Sequence, residues 1–295
     1  MDAPLQHGPA VPGLQPLAGV RVVSIATNVP GPVALARLVA LGASALKVEP
    51  PAGDFLAIAA PAWYDALRAG QHVITLDLKR EEGRAELFAR LVDADVFVTS
   101  QRPHALERLG LATDALRAQF PALCIVRVVG HAGMDAARPG HDLTYQALAG
   151  LVSPPALPAS LFTDIAAGDA AATAACALLV QRARTGMGDV LDVVMEDVAH
   201  RLAEPRTYGL TAPGGPLGGA LPAYGVYAAR DGWIAVAALE PAFLRRLADG
   251  LGLDDVNEAA LTRAFAEGSV REWDAWGRAH DVPIAIVTSP VVAWR

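Results

Sequence analysis

The stretch VRVVSIA (Val20–Ala26), running into Gly31-Pro32, decides how this chain is read. A short continuous run of apolar, largely β-branched residues bounded by a Gly-Pro turn reads as a strand buried on both faces, and such strands belong to parallel sheets. The pattern then repeats. A helical stretch covers Val33 to Leu41, and ALKVE (Ala45–Glu49) gives a second strand. VITLDL (Val73–Leu78) gives a third, followed by a charged helix from Arg80 to Leu91. DVFVT (Asp95–Thr99) and CIVRVV (Cys124–Val129) continue the series. Strands and helices in alternation require crossover connections, so the fold class is α/β with a doubly wound parallel sheet.

Beyond this series the pattern changes. Ile165 to Arg184 is a long helix, capped by Thr163 or Asp164 and stopped at Thr185-Gly186-Met187-Gly188. Val190–Val194 is a strand and Met195–Leu202 a helix. The glycine- and proline-rich segment from Thr211 to Pro222 marks a linker. Past it, Gly225–Ala228 and Trp233–Ala238 form a hairpin with an Asp-Gly turn, and a helix runs from Pro241 to Gly250. The expected organisation is a loose arm over residues 1–15, a large α/β domain over 16–210 and a smaller α+β domain over 211–295.

Composition narrows the function. With 295 residues, 53% hydrophobic and 19% charged, the chain has enough apolar mass for a sizeable core, and disorder is excluded. The net charge of -7 argues against nucleic acid or an anionic membrane as partner. Two cysteines without metal-ligand spacing argue against a disulfide scaffold or a zinc module, and a cytoplasmic location is expected. Met1 to Pro16 lacks the basic and apolar regions of a signal peptide. The alanine-rich stretch Ile165–Val180, interrupted by Gly168 and Asp169, is expected to be a buried helix, too short for a membrane span.

Several segments, in order, carry a resemblance. They are PLAGVRVV (Pro16–Val23), Gly31-Pro32, LGASALKVEPPAGD (Leu41–Asp54), ITLDLKREEGRAE (Ile74–Glu86) and DVFVTSQRPHALERLGL (Asp95–Leu111). PGHDLTYQALAGL (Pro139–Leu151), TDIAAGDAAA (Thr163–Ala172), RTGMGDVLDVVMEDVA (Arg184–Ala199), DGWIAVAALEPAF (Asp231–Phe243) and DVPIAIV (Asp281–Val287) follow. This set resembles the family III CoA-transferases (CaiB/BaiF type) and their relatives, the α-methylacyl-CoA racemases. The resemblance implies an enzyme acting on acyl-CoA thioesters, with the CoA thioester as substrate and no metal or redox cofactor. It implies a Rossmann-like large domain that holds CoA, with the catalytic carboxylate near the junction with the small domain. It also implies a homodimer of interlocked rings, closed in relatives by a C-terminal return segment that this sequence, ending at Arg295, is expected to lack.

Site residues follow from the matching motifs. Asp164 matches the catalytic aspartate, although an Asp before an alanine-rich helix is first of all a helix cap. Its place at the helix start keeps the carboxylate ionised, as a nucleophile or base requires. His141, in Gly140-His141-Asp142, matches the racemase branch, where transferases commonly carry an aromatic residue; on its own it is a loop histidine oriented by Asp142 and titrating near neutrality. Glu240, before Pro241, opens a helix and in the racemase branch orients the histidine. Tyr145 either lines the pocket or packs in the core. For CoA, Arg102 suits a phosphate fork and Lys47 stands at the end of the second strand. Arg68 stands in for basic residues that relatives carry in NRGKRS, where this chain reads RAGQHV (Arg68–Val73).

Three readings come out of these residues. In the first, Asp164 and His141 move the α-proton of a 2-methylacyl-CoA from one face to the other, with backbone N–H groups at the start of the Ile165 helix serving the enolate oxygen. In the second, Asp164 attacks the thioester to form an acyl anhydride and hands CoA to a carboxylic acid. In the third, the chain is a shortened relative that binds CoA or a partner protein without turnover.

Overall fold

The computed structural model describes residues 14–136 and 138–288. Most of the expected N-terminal arm therefore lies outside the described residues. The chain separates into two compact units, one up to Ala203 and one from Glu204. The linker expected between 211 and 222 falls inside the second unit.

In the first unit the strands are β1 (Arg21–Ser24), β2 (Ser44–Glu49), β3 (His72–Thr75), β4 (Val96–Thr99), β5 (Cys124–Val129) and β6 (Val190–Val194). They form one sheet in the order β3-β2-β1-β4-β5-β6, every neighbouring pair parallel. This is the doubly wound arrangement expected from the sequence, with the order reversing between β1 and β4. The helices are α1 (Pro30–Ala40), α2 (Phe55–Ala59), α3 (Pro61–Leu67), α4 (Glu81–Leu91), α5 (Pro103–Arg108) and α6 (Thr113–Gln119). After them come α7 (Asp142–Leu148) and α8 (Phe162–Thr185), and α9 (Met195–Thr207) runs from the first unit across its boundary at Ala203.

Side-chain alternation along the strands builds two cores. Val22, Val96, Val98, Cys124 and Val126 join Leu35 and Leu38 of α1 and Ala171 and Ala175 of α8 on one face. Val23, Phe97 and Ile125 join Leu87 and Leu91 of α4 and Leu116 of α6 on the other. Each face removes apolar area from water at about 25 cal/mol per Å². α1 and α8 approach closely because Gly168 has no side chain: a Cβ there would lie 2.6 Å from Val33. Arg37 and Asp169 tie the same pair at 2.7 Å.

Two expectations about α8 change. It starts at Phe162 with Leu161 as its N-cap, so Asp164 occupies the third helical position rather than the cap. It also runs to Thr185, long and apolar enough to cross a membrane by length and composition alone, which the apolar stretch read in the sequence was not. Its buried residues, Ala167, Gly168, Ala171, Ala174, Ala175 and Leu178, nevertheless recur at helical spacing and pack on the core. Gly186, at φ +74°, ends the helix as expected of a glycine in the left-handed region. Both cysteines are free thiols.

The second unit holds an antiparallel sheet of β7 (Tyr224–Ala229), β8 (Gly232–Ala237) and β9 (Ile284–Ile286). Helices α10 (Pro241–Leu251), α11 (Glu258–Ala266) and α12 (Val270–His280) complete it. Its core gathers Tyr227, Ile234, Leu247, Leu261 and Phe265. The hairpin turn is Arg230-Asp231, not Asp-Gly, because Gly232 already pairs with Ala229. Ser269 and Glu272 cap α12 reciprocally.

Candidate active site

The loops that leave the C-terminal ends of β1, β4, β5 and β6 meet at one cavity of about 220 Å³. Thr27 and Asn28 follow β1, Ser100 and Arg102 follow β4, Gly130 follows β5 and Met195 follows β6. The N-termini of α7 and α8 close the wall with His141, Tyr145 and Asp164. Placing a ligand beside the point where strand order reverses is what a doubly wound sheet favours.

Asp164 is half-buried. Burial, and secondarily the neighbouring Asp142 carboxylate, push its carboxyl up from 3.8 to about 7. Burial thus outweighs the helix start that was expected to keep the carboxylate ionised, and a carboxyl titrating there both accepts and donates a proton at neutral pH, which suits general acid–base chemistry. His141, on the same cavity, is the N-cap of α7; its N–H donates to Thr144 Oγ1 at 3.0 Å and that hydroxyl donates back to its carbonyl at 2.8 Å. The structure thus brings Asp164, His141, Tyr145 and Arg102 to one wall-to-wall space.

Asp142 is buried and does not face the cavity as a catalytic group. One carboxylate oxygen accepts the Asp164 N–H at 3.0 Å and the other accepts from Gln146 at 2.5 Å. Gln146 also reaches the Ser160 carbonyl, so the start of α8 is capped from outside by α7. This uses the Asp164 N–H that the sequence reading offered to an enolate oxygen. The next N–H, of Ile165, is bonded to Leu161 within the helix.

Tyr145 is buried, and its hydroxyl fits between two glycines. A Cβ at Gly130 would lie 2.5 Å from it and one at Gly140 would lie 2.4 Å away. Its ring packs on His131, 5.3 Å between centroids. His131 is itself buried and its Nδ1 pairs with Glu196 at 2.7 Å. That hydrogen bond holds the Glu196 carboxyl below its usual range. The His131–Glu196 pair was not found from sequence: 65 residues separate its members.

The residues expected at CoA divide. Arg102, the N-cap of α5, lines the cavity. Lys47 does not reach a ligand-facing surface. It is 1% exposed, with its ammonium 2.6 Å from Asp54 and 2.7 Å from Glu49, because the strand turns it into the molecule toward an acidic helix cap. Tyr64 donates to Glu49 at 2.7 Å, and its hydroxyl is pushed up to about 12, by burial first and then by that hydrogen bond. Arg68 is exposed, paired with Asp65 at 2.8 Å and lying over the Tyr64 ring. Glu240 is exposed at the N-cap of α10, in the second unit, with Pro241 at the first helical position. Among the described residues no cluster of His, Cys, Asp and Glu is suited to a metal ion.

A second cavity of about 450 Å³ follows the ends of β1 to β4. Pro50, Pro51 and Ala52 form one side and Leu76 to Lys79 another; Gln101 also lines it, and Thr27 lines both this cavity and the first.

A protein-family comparison matches residues 17–293 to CoA-transferase family III. The chain is 29% identical to the probable fatty acyl-CoA transferase Rv3272 of Mycobacterium tuberculosis, over 95% of this chain and 79% of that protein. The crystal structure of Rv3272 superimposes with a TM-score of 0.83 at 28% identity, covering 94% of this chain and 86% of that one. Alpha-methylacyl-CoA racemase of Homo sapiens is 32% identical over 87% of this chain and 74% of its own length. Succinate–glutarate CoA-transferase of Agrobacterium fabrum is 31% identical over 95% and 75%.

Proposed function

This chain belongs to CoA-transferase family III, a superfamily of enzymes that act on acyl-CoA, and we propose that it moves the α-proton of a 2-methylacyl-CoA between Asp164 and His141. The observation that carries this reading is the pairing of those two side chains on one cavity, with Asp164 titrating at about 7. A proton on the carbon next to a thioester carbonyl needs a base on one face and an acid on the other, each with a proton affinity near the working pH. Burial gives the carboxyl that affinity, and the imidazole of His141 supplies a second proton-carrying group on the same cavity. The CoA nucleotide is assigned to the second cavity, beside Lys79 and Gln101, so that the thioester end reaches the first through their shared Thr27 wall. CoA is substrate in this reading, and no metal or redox group is required.

The relatives named as CoA-transferases support a second reading, in which Asp164 attacks the thioester carbonyl, forms an acyl anhydride and releases CoA thiolate for a second acid. The test incubates protein and a 2-methylacyl-CoA in deuterated water, with and without a free carboxylic acid. The first reading gives deuterium at the α-carbon without an acid. Transfer that requires the acid, with no label at carbon, would replace it by the second. Silence in both would leave a non-catalytic CoA-binding protein.

A further inference from the structure

We propose that Asn28 is a catalytic residue of this site, its carboxamide donating a hydrogen bond to the thioester carbonyl oxygen of the bound substrate; the proposal rests on the acyl-CoA reading above. When the base takes the α-proton, the C–H electron pair becomes a carbon–carbon double bond and the carbonyl π pair moves onto oxygen. Returning the proton on the opposite face reverses both shifts, so the oxygen carries charge only in between. A donor fixed at that oxygen is the largest single aid the protein can offer.

At the start of α8, the N–H of Asp164 itself and that of the residue after it are already taken. The Asp164 N–H is bonded to Asp142 and the Ile165 N–H to the Leu161 carbonyl. Asn28 lines the same cavity as Asp164 and His141, and its backbone sits at φ +70°, the left-handed region that asparagine enters more readily than other residues with a side chain. Such a conformation persists where its surroundings dictate it, and it gathers at working sites.

The surroundings here are unusually firm. The Asn28 N–H donates to Asp54 Oδ1 at 3.1 Å, and the same oxygen accepts from Leu56 at 3.0 Å. The other Asp54 oxygen holds Lys47, which in turn holds Glu49. All three charged groups are buried, and the network reaches the cavity wall through the Asn28 backbone. A buried ion network holds that backbone through its N–H, and the Asn28 side chain leaves from this held point on the cavity wall. The donor is also neutral, so it stabilises an oxyanion without adding charge beside Asp164.

The test compares wild type with Asn28→Gly and Asn28→Asp. Glycine accepts the left-handed backbone without strain, so the melting temperature of Asn28→Gly is expected to hold. A 2-methylacyl-CoA labelled with carbon-13 at the carbonyl is bound, and its carbonyl stretch is read by infrared difference spectroscopy beside the rate of α-proton exchange. The expected result is a stretch lowered in wild type and returned toward its solution value in both variants, with kcat down by about 10² to 10³. A bound carbonyl that vibrates alike in wild type and Asn28→Gly overturns the proposal while leaving the acyl-CoA reading in place. Failure of wild type to bind the thioester overturns that reading, and the proposal with it.

Discussion

Replacing Asp164 by Asn is expected to stabilise the protein while abolishing racemisation. The folded carboxyl titrates at about 7, against 3.8 ordinarily, because it is taken from water and stands near Asp142. A folded pKa above the unfolded one means that the native state holds the proton more tightly. The wild type therefore loses stability as pH rises from about 4, and the loss levels off above about 7. At 1.36 kcal/mol per tenfold change in proton affinity, the ceiling is about 4 kcal/mol. Asp164 is only half-buried, and solvent screening reduces this to ~2 kcal/mol. Against it stands the loss of a carboxylate in the first turn of α8, worth ~0.3–1 kcal/mol. Burial wins, so Asp164→Asn should exceed wild type by ~1–2 kcal/mol above neutrality and by close to nothing near pH 4. Urea denaturation of both proteins across this range measures the difference. A variant no more stable than wild type at pH 8, or a gap that does not grow with pH, would refute the electrostatic account of the site.

Lys47→Met leaves Glu49 and Asp54 buried without their cation, and should cost ~3–5 kcal/mol in denaturant unfolding; an unchanged midpoint would show that the network does not hold the fold. Gly130→Ala brings a methyl against the Tyr145 hydroxyl and should cost ~1–3 kcal/mol. Adding Tyr145→Phe removes the oxygen at 2.5 Å and leaves the nearest ring atom at 3.5 Å, so the double variant should recover most of the loss. Additive losses would contradict that packing. Asp142→Asn keeps an acceptor for the Asp164 N–H but removes the charge that adds to the effect of burial. The pH at which the Asp164 carboxylate reaches half its activity should then move to lower pH, and an unmoved or alkaline profile would contradict the assigned cause.

The strands were legible because a sheet covered on both faces writes its strands as continuous apolar runs, from Val20–Ala26 to Cys124–Val129. The start of α8 was misplaced because Thr163 and Asp164 have the chemistry of caps, whereas the cap comes from Asp142 on another helix. Such a contact leaves no mark in local sequence. The same holds for His131 with Glu196. Lys47 stands at the end of a strand, as a nucleotide ligand would, and strand position alone does not say that Asp54 and Glu49 will claim its ammonium. The motif around His141 and Asp164 did place both on one cavity. Ser269, followed by Glu272, marks the start of α12 in local sequence as a capping box.

The central claim is that Asp164 and His141 work from opposite faces of one α-carbon. It is tested most directly by following α-proton exchange in deuterated water from each pure enantiomer of a 2-methylacyl-CoA, in His141→Ala and in Asp164→Asn. The account predicts that each variant abolishes racemisation yet retains exchange from one enantiomer, and that the two variants retain opposite ones. Equal loss of exchange from both enantiomers in Asp164→Asn, with none in His141→Ala, would contradict it and leave Asp164 acting alone.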